Sequence, residues 1–153
     1  MKLKIFFCLS LLSLMSFKPK QDLSFFDQFV NDWHLAASKA NFDDYFEKMS
    51  ENSIFIGTAP GERWTKTEFQ TFSKPFFDKG KAWDFKSKER NWYFSKDKKT
   101  AWFDEVLDTW MLDCRASGVM QKIKGEWKIV FYDLHVLIEN EKMDGFLKLR
   151  KED

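Results

Sequence analysis

The sequence predicts an α+β domain in which about three N-terminal helices pack on one face of a strongly curved antiparallel sheet. Three observations predict it. Apolar residues recur at helical spacing from Ser24 to about Gly80, then at every second position from Trp83 onward. The helical half comes first and the strand half follows, the order of an α+β fold rather than of alternating βαβ units. Aromatic residues make up 18% of the chain, with Phe 18, Trp 7 and Tyr 3, so a core, an interface or a ligand cavity is needed to cover them.

The first segment reads as a targeting signal, with an uncleaved anchor as the alternative. Met1-Lys2-Leu3-Lys4 is basic, and Ile5 to Phe17 carries no charge. A basic start followed by a short apolar run reads as an export signal, shorter than the roughly 20 apolar residues of a membrane span. Residues 1–16 are therefore expected to be removed near Ser16-Phe17, placing the mature protein in the periplasm or outside the cell. No membrane association is expected after that. Cleavage also removes Cys8, so Cys114 is left without a disulfide partner and is read as a small buried thiol.

The helices are read from their caps. Ser24 is the expected N-cap of the first, with Asp27 in its first turn and Phe26, Val30, Trp33, Ala37 and Ala40 as one apolar stripe. Asn41 caps a second, shorter helix carrying Phe42, Tyr45, Phe46 and Met49. Ser53 to Gly57 is a short strand, and Thr58-Ala59-Pro60-Gly61 is a turn. Thr65-Lys66-Thr67-Glu68 is a capping box for a third helix, which Pro75 breaks or restarts and Gly80 ends. Long strands are expected at about 83–95, 100–111, 114–123 and 126–138, with a tight turn at Lys124-Gly125. Residues 17–140 make one domain, and 141–153 form a polar tail or a last edge element.

At this point the chain resembles the SnoaL-like branch of the nuclear transport factor 2-like (NTF2-like) superfamily. The residues that carry the resemblance are Phe42-Asp43-Asp44-Tyr45-Phe46, Ile54-Phe55-Ile56-Gly57-Thr58, Ala101-Trp102-Phe103-Asp104-Glu105, Arg115-Ala116-Ser117-Gly118-Val119 and Gly125-Glu126-Trp127-Lys128-Ile129-Val130. It spans roughly 25–138. The resemblance implies a conical α+β fold, a homodimer through the outer sheet face, and polar side chains after the Trp127-Lys128-Ile129-Val130 element that point into the cone. Asp133 and His135 occupy such positions. The family includes isomerases, cyclases, dehydratases and non-enzymatic binding modules, so fold alone does not name a function.

A pocket follows from the strand register. A two-residue turn at Leu112-Asp113 would set Trp110 opposite Arg115, and the Lys124-Gly125 turn would set Met120, Gly118 and Ala116 opposite Ile129, Phe131 and Asp133. The inner surface then holds Phe103, Glu105, Leu107, Thr109, Ala116, Gly118, Phe131, Asp133 and His135. Ala116 and Gly118 leave room at its middle, and the Trp33 stripe closes it. The outer surface holds Trp102, Trp110, Tyr132 and Leu134, with Trp110 beside Arg115.

Glu105 is the sharpest chemical candidate. Its apolar strand neighbours Phe103 and Leu107 would raise its pKa towards the range of a general acid or base, unless Arg63 or Arg90 pairs with it and depresses it. His34 at the edge of the first helix's stripe, Asp133 and His135 are the possible acid/base partners. Trp64, Phe76, Phe77 and Trp83 flank the third helix and belong to the core or the pocket mouth. With two histidines and no compact ligand spacing, no metal site is expected, and no glycine-rich phosphate loop points to a cofactor. Lys plus Arg is 25 against Asp plus Glu 24, which removes the electrostatic case for nucleic acid. The expected function is an exported domain that binds an apolar or aromatic small molecule in an aromatic-lined pocket. A cofactor-free acid/base enzyme of isomerase, dehydratase or cyclase type is the alternative, and a protein-interaction module using the outer sheet face is a third.

Overall fold

A computed structural model describes residues 22–151; the segment expected to be an export signal lies outside them. The helices are α1 (Ser24–Ser38), α2 (Phe42–Glu47), α3 (Lys66–Asp78) and α4 (Met143–Leu149). The strands are β1 (Met49–Ile56), β2 (Arg63–Thr65), β3 (Lys86–Phe94), β4 (Thr100–Thr109), β5 (Leu112–Ile123) and β6 (Glu126–Val136). One six-stranded sheet has the order β2-β1-β6-β5-β4-β3. All neighbours are antiparallel except β1 and β6, which run parallel.

Local chemistry sets the helix ends. Ser24 is the first helical residue rather than the cap; its backbone N–H donates to Asp22 Oδ1 at 2.9 Å. Asn41 caps α2 by accepting from Asp44 N, and Thr65 and Glu68 form the expected reciprocal capping box of α3. Pro75 sits inside α3 without ending it. Both Pro75 and Thr71 are exposed, so the Thr71 carbonyl that loses its helical donor is not buried. Gly80, at φ +71°, follows the last turn. The tail forms a short helix, α4, with no buried residue.

The hairpin turns decide which side chains face inward. The β4–β5 turn is Trp110-Met111, not Leu112-Asp113: Thr109 pairs with Leu112, and Val106 rather than Trp110 lies opposite Arg115. Thr109 Oγ1 closes this turn by accepting from Met111 N and donating to Leu112 O, both at 2.9 Å. The displacement is four residues, an even number, so Phe103, Glu105 and Leu107 still share the inner face with Cys114, Ala116 and Gly118. The Lys124-Gly125 turn forms as expected, with positive φ at both residues. Met120 pairs with Ile129, also as expected. The next pair is Val119 with Phe131, because Val130 is an extra residue in a β-bulge. Beyond it Tyr132 and Leu134 point inward, and Phe131, Asp133 and His135 are turned away from the inner face.

The concave side of the sheet is filled. Trp33 stacks on Tyr45 with ring centroids 4.9 Å apart and meets the edge of Tyr132 at 4.8 Å. Phe103 lies against Trp92 at 4.6 Å and occupies the room expected beside Gly118, where a Cβ would overlap its ring. On the convex side, Tyr93, Trp102, Val119, Phe131 and Ile54 form one cross-strand row over five strands. Tyr93 and Trp102 stack there, half-exposed. The β3 edge carries Lys86, Ser87, Lys88 and Glu89, a polar run that discourages further strand pairing.

Gly118→Ala should lower stability by roughly 1–3 kcal/mol, because the displaced Phe103 ring is itself enclosed by Trp92 and Tyr132. The urea midpoint measures this. An unchanged midpoint would show that the ring moves freely.

Candidate functional site

Four elements converge on one carboxylate. Glu105 on β4 lies directly across from Arg90 on β3. The bulge in β6 brings Tyr132 inward, and α1 lowers His34 onto the sheet. Glu105 Oε1 accepts from His34 Nε2 and from the Tyr132 hydroxyl, each at 2.9 Å. Glu105 Oε2 accepts from Arg90 Nε at 3.0 Å and Nη2 at 2.7 Å. Arg90 Nη1 reaches on to Asn31 Oδ1 at 3.1 Å and to the Asp27 side chain and backbone oxygens at 3.3 Å. Asp27 in turn accepts from Trp92 Nε1 at 2.8 Å. Glu105 is wholly buried, and the Arg90 side chain is 4% exposed.

The electrostatics reverse the expected sense of the Glu105 shift. Burial is the largest single influence and pushes the carboxyl up. The charges and hydrogen bonds of His34 and Arg90 together outweigh it and bring the pKa down to about 2. Glu105 is therefore an anion at neutral pH, and His34 Nε2 is the donor in their contact. Burial, then the Glu105 charge, pushes the Tyr132 hydroxyl well above its ordinary value, so it too stays a donor. With four donors on its two oxygens, Glu105 positions His34 and Arg90 and holds α1 against the sheet. His34 also lines a cleft of about 360 Å³ between α1 and residues 84–87.

The structure brings together two of the four candidate acid/base residues, His34 and Glu105. Asp133 and His135 are corrected to the other side of the sheet: the bulge at Val130 reverses β6 alternation, and the two lie 3.5 Å apart with the His135 side chain 61% exposed. Phe131 moves with them into the convex row. Trp33, Phe103, Leu107 and Ala116 are core side chains, and Gly118 is covered by Phe103. Thr109 is half-buried, with its hydroxyl engaged in the hairpin turn. From sequence Arg90 was one of two possible partners of Glu105, with Arg63, and the structure selects it; Tyr132 was not assigned to the site. Arg90 had a signal, since it shares a face with Trp92 and Phe94 by strand alternation. Tyr132 had none, because Ile129-Val130-Phe131-Tyr132 is apolar throughout.

An aromatic cleft of about 120 Å³ opens between α3, the β1–β2 loop and the β4–β5 turn. Its walls include Trp64, Phe69, Phe72, Trp83, Phe85 and Trp110. Trp64 stacks on Phe72 at 4.5 Å, and Phe69 stacks on Phe55 at 4.0 Å and on Trp83 at 5.6 Å. Trp110 lines the cleft from the β4–β5 turn and is 81% exposed. The shifted turn places it here and not beside Arg115 on the convex face. Leu134, brought inward by the bulge, also lines the cleft. A broader depression of about 800 Å³ lies between α1, α2 and the β5–β6 turn. It is bordered by charges of both signs, including Asp32, Glu47, Lys39 and Lys128, and shares no residue with the Glu105 network. No cluster of three His, Cys, Asp or Glu side chains occurs among the described residues.

Helices laid over the concave side of a curved, mostly antiparallel sheet, with a polar network on that inner side, define the conical α+β class of NTF2-like proteins. The chain belongs to the SnoaL-like domain family, whose model matches residues 27–139. A domain of unknown function with a cystatin-like fold from Nostoc punctiforme superposes with a TM-score of 0.66 at 17% identity, over 85% of this chain and 86% of that one. A candidate dehydratase of the NTF2-like family from Streptomyces avermitilis gives a TM-score of 0.65 at 9% identity, over 77% and 97%. The association domain of C. elegans CaMKII gives 0.58 at 17% identity, over 72% and 92%. These likenesses are of fold. No curated protein matches the chain.

Glu105→Gln should lower stability by about 3 kcal/mol at neutral pH, because it leaves the buried Arg90 with only the partly exposed Asp27 carboxylate as counter-ion. The pH dependence has a defined sign. The folded-state pKa of about 2 lies below the ordinary value of 4.5, so the unfolded chain binds the extra proton between them. The Glu105 contribution, on the order of 3 kcal/mol, is complete above about pH 4.5 and is lost as pH falls towards 2. Urea midpoints measured across this range should fall more steeply for the wild type than for Glu105→Gln. Parallel profiles would remove the ionic network as the cause.

Proposed function

We propose that the chain is a small-molecule-binding domain that holds a flat apolar or aromatic ligand in the cleft walled by Trp64, Phe72, Trp83 and Trp110. The observation that carries this reading is the exposure of Trp110 opposite a stack of parallel rings, which leaves a large aromatic face free beside an apolar cleft. The Glu105 network supports binding over proton transfer. Its carboxylate already accepts four hydrogen bonds and has a pKa of about 2, which makes it a weak base at neutral pH. In this reading the network holds the fold together inside the cone and the aromatic cleft is the recognition surface.

A neutral aromatic probe tests the reading. 2-Naphthol should quench tryptophan fluorescence saturably, and Trp110→Ala should weaken its binding roughly tenfold without changing the melting temperature. Trp110 is almost free of core contacts, so its removal is read as loss of ligand contact. Equal binding by both proteins would place the ligand elsewhere.

The same reading pairs two copies through the convex row of Tyr93, Trp102, Val119, Phe131 and Ile54. What supports this is a half-exposed apolar strip that crosses five strands without interruption. Trp102→Glu should shift sedimentation towards monomer. A wild type that remains monomeric at high concentration would overturn the pairing.

A further inference from the structure

The aromatic cleft carries a charge that its rings alone do not explain. Glu62 lies on its wall, next to Gly57 and Thr58. Its Oε2 accepts from the backbone N–H of Ala59 at 2.9 Å, which fixes the carboxylate over the β1–β2 loop. A Cβ on Gly57 would overlap that oxygen and crowd Trp64, so glycine is what leaves room for the carboxylate there. Glu62 takes part in none of the ion pairs formed among the described residues. Among the described residues, no Lys, Arg or His side chain lines the cleft. Arg63, the nearest basic residue in sequence, lies on the opposite face of β2 from Trp64.

Among the described residues, no cation lies over the three tryptophans of the cleft. The cation–π pairs formed among the described residues involve Phe29, Phe42, Phe103 and Phe146, and none involves Trp64, Trp83 or Trp110. Indole faces attract a cation through their quadrupole, most strongly when it is shielded from water. A fixed carboxylate beside them adds a full opposite charge. A neutral apolar ligand would leave that carboxylate partly desolvated and unpaired, an unfavourable arrangement. A ligand with a positive, apolar head satisfies both features at once.

We infer that the cleft binds an organic cation: a small molecule whose quaternary or methylated ammonium head sits among Trp64, Trp83 and Trp110 with its charge towards Glu62. A cleft of about 120 Å³ admits such a head group and leaves the rest of the ligand at the surface. The Ala59 N–H bond keeps Glu62 in place before the ligand arrives, so little side-chain ordering accompanies binding. This inference rests on the reading of the cleft as the ligand site and adds the ligand's charge class.

The test compares choline with 3,3-dimethylbutan-1-ol, its neutral carbon isostere, by calorimetry and tryptophan fluorescence. On the wild type, choline should bind about tenfold more tightly than the isostere. Glu62→Gln keeps an acceptor for the Ala59 N–H and should abolish most of that preference. Trp110→Ala should weaken both probes. Circular dichroism and thermal melts establish that each variant is folded. If the two probes bind alike to the wild type and Trp110→Ala weakens both, the cation inference fails while the cleft remains the ligand site. If choline is preferred and Glu62→Gln keeps the full preference, the cation is recognised without Glu62 and the inference is overturned. If neither probe binds and 2-naphthol also fails to bind, both the inference and the binding reading fall; binding of 2-naphthol alone overturns only the cation inference.

Discussion

A carboxylate shut away from water must be neutralised by donors that other parts of the chain deliver. Glu105 is that group, and its four hydrogen bonds come from three elements besides its own: His34 from α1, Arg90 from β3 and Tyr132 from β6. An unpaired buried ion is severely unfavourable, so none of the three elements moves without exposing the others to that penalty. Arg90 extends the tie to Asp27 and Asn31, one helical turn apart on α1. The consequence is geometric. The first helix is held in one rotation and one position along the sheet, and β3, whose Trp92 and Phe94 pack on Phe26, is tied to the same helix by Arg90. The bulge in β6 belongs to the same constraint, because without the extra residue Val130 the Tyr132 hydroxyl would point to the convex face.

The change of hydrophobic period near Trp83, the Asn41 cap and the Thr65–Glu68 box made the helix-then-sheet order legible, since each is a local signal with a local cause. The inner faces of β4 and β5 were legible even though the turn between them was misplaced, because a four-residue displacement preserves alternation. Beyond Val130 the same reasoning failed for β6. A one-residue bulge inverts every later side chain, and the unbroken apolar run Ile129 to Tyr132 holds no polar position to reveal it. Parallel pairing of β1 with β6 is a long-range contact with no local signature. Glu105 was legible as a buried acid from Phe103 and Leu107. The direction of its pKa shift was not, because that depends on Arg90 being its cross-strand neighbour, and the β3–β4 register is a property of the assembled sheet.

Apart from the convex row, the aromatic residues of the cone and its margin fall into two groups with different physical roles. Trp33, Tyr45, Phe69, Phe103 and Tyr132 are almost wholly enclosed and fill the cone; Phe103 takes the place a side chain on Gly118 would have held. A filled cone leaves the central space to the protein's own rings. Trp64, Phe72, Trp83 and Trp110 stand at the margin, where α3 and two loops bring them together. Phe69 belongs to both groups, buried beneath Trp64 while stacked on Phe55, so the cleft is rooted directly in the core. That continuity roots the α3 side of the cleft in the core, whereas Trp110 stands on a two-residue turn and is mostly exposed.

Two carboxylates then differ in what remains for a ligand. Glu105 is surrounded by donors, and the positive charge of Arg90 lies 2.7 Å from its oxygen, so little of its field extends beyond the pair. Glu62 is fixed by a single backbone N–H, lies beside a half-buried tryptophan, and has no cation within ion-pair distance among the described residues. Charge that is balanced inside a fold maintains shape, whereas charge that is fixed but unbalanced at a cleft is available for recognition. By that criterion the conspicuous buried acid is architectural, and the proposed selectivity rests on the less conspicuous glutamate on the β1–β2 loop.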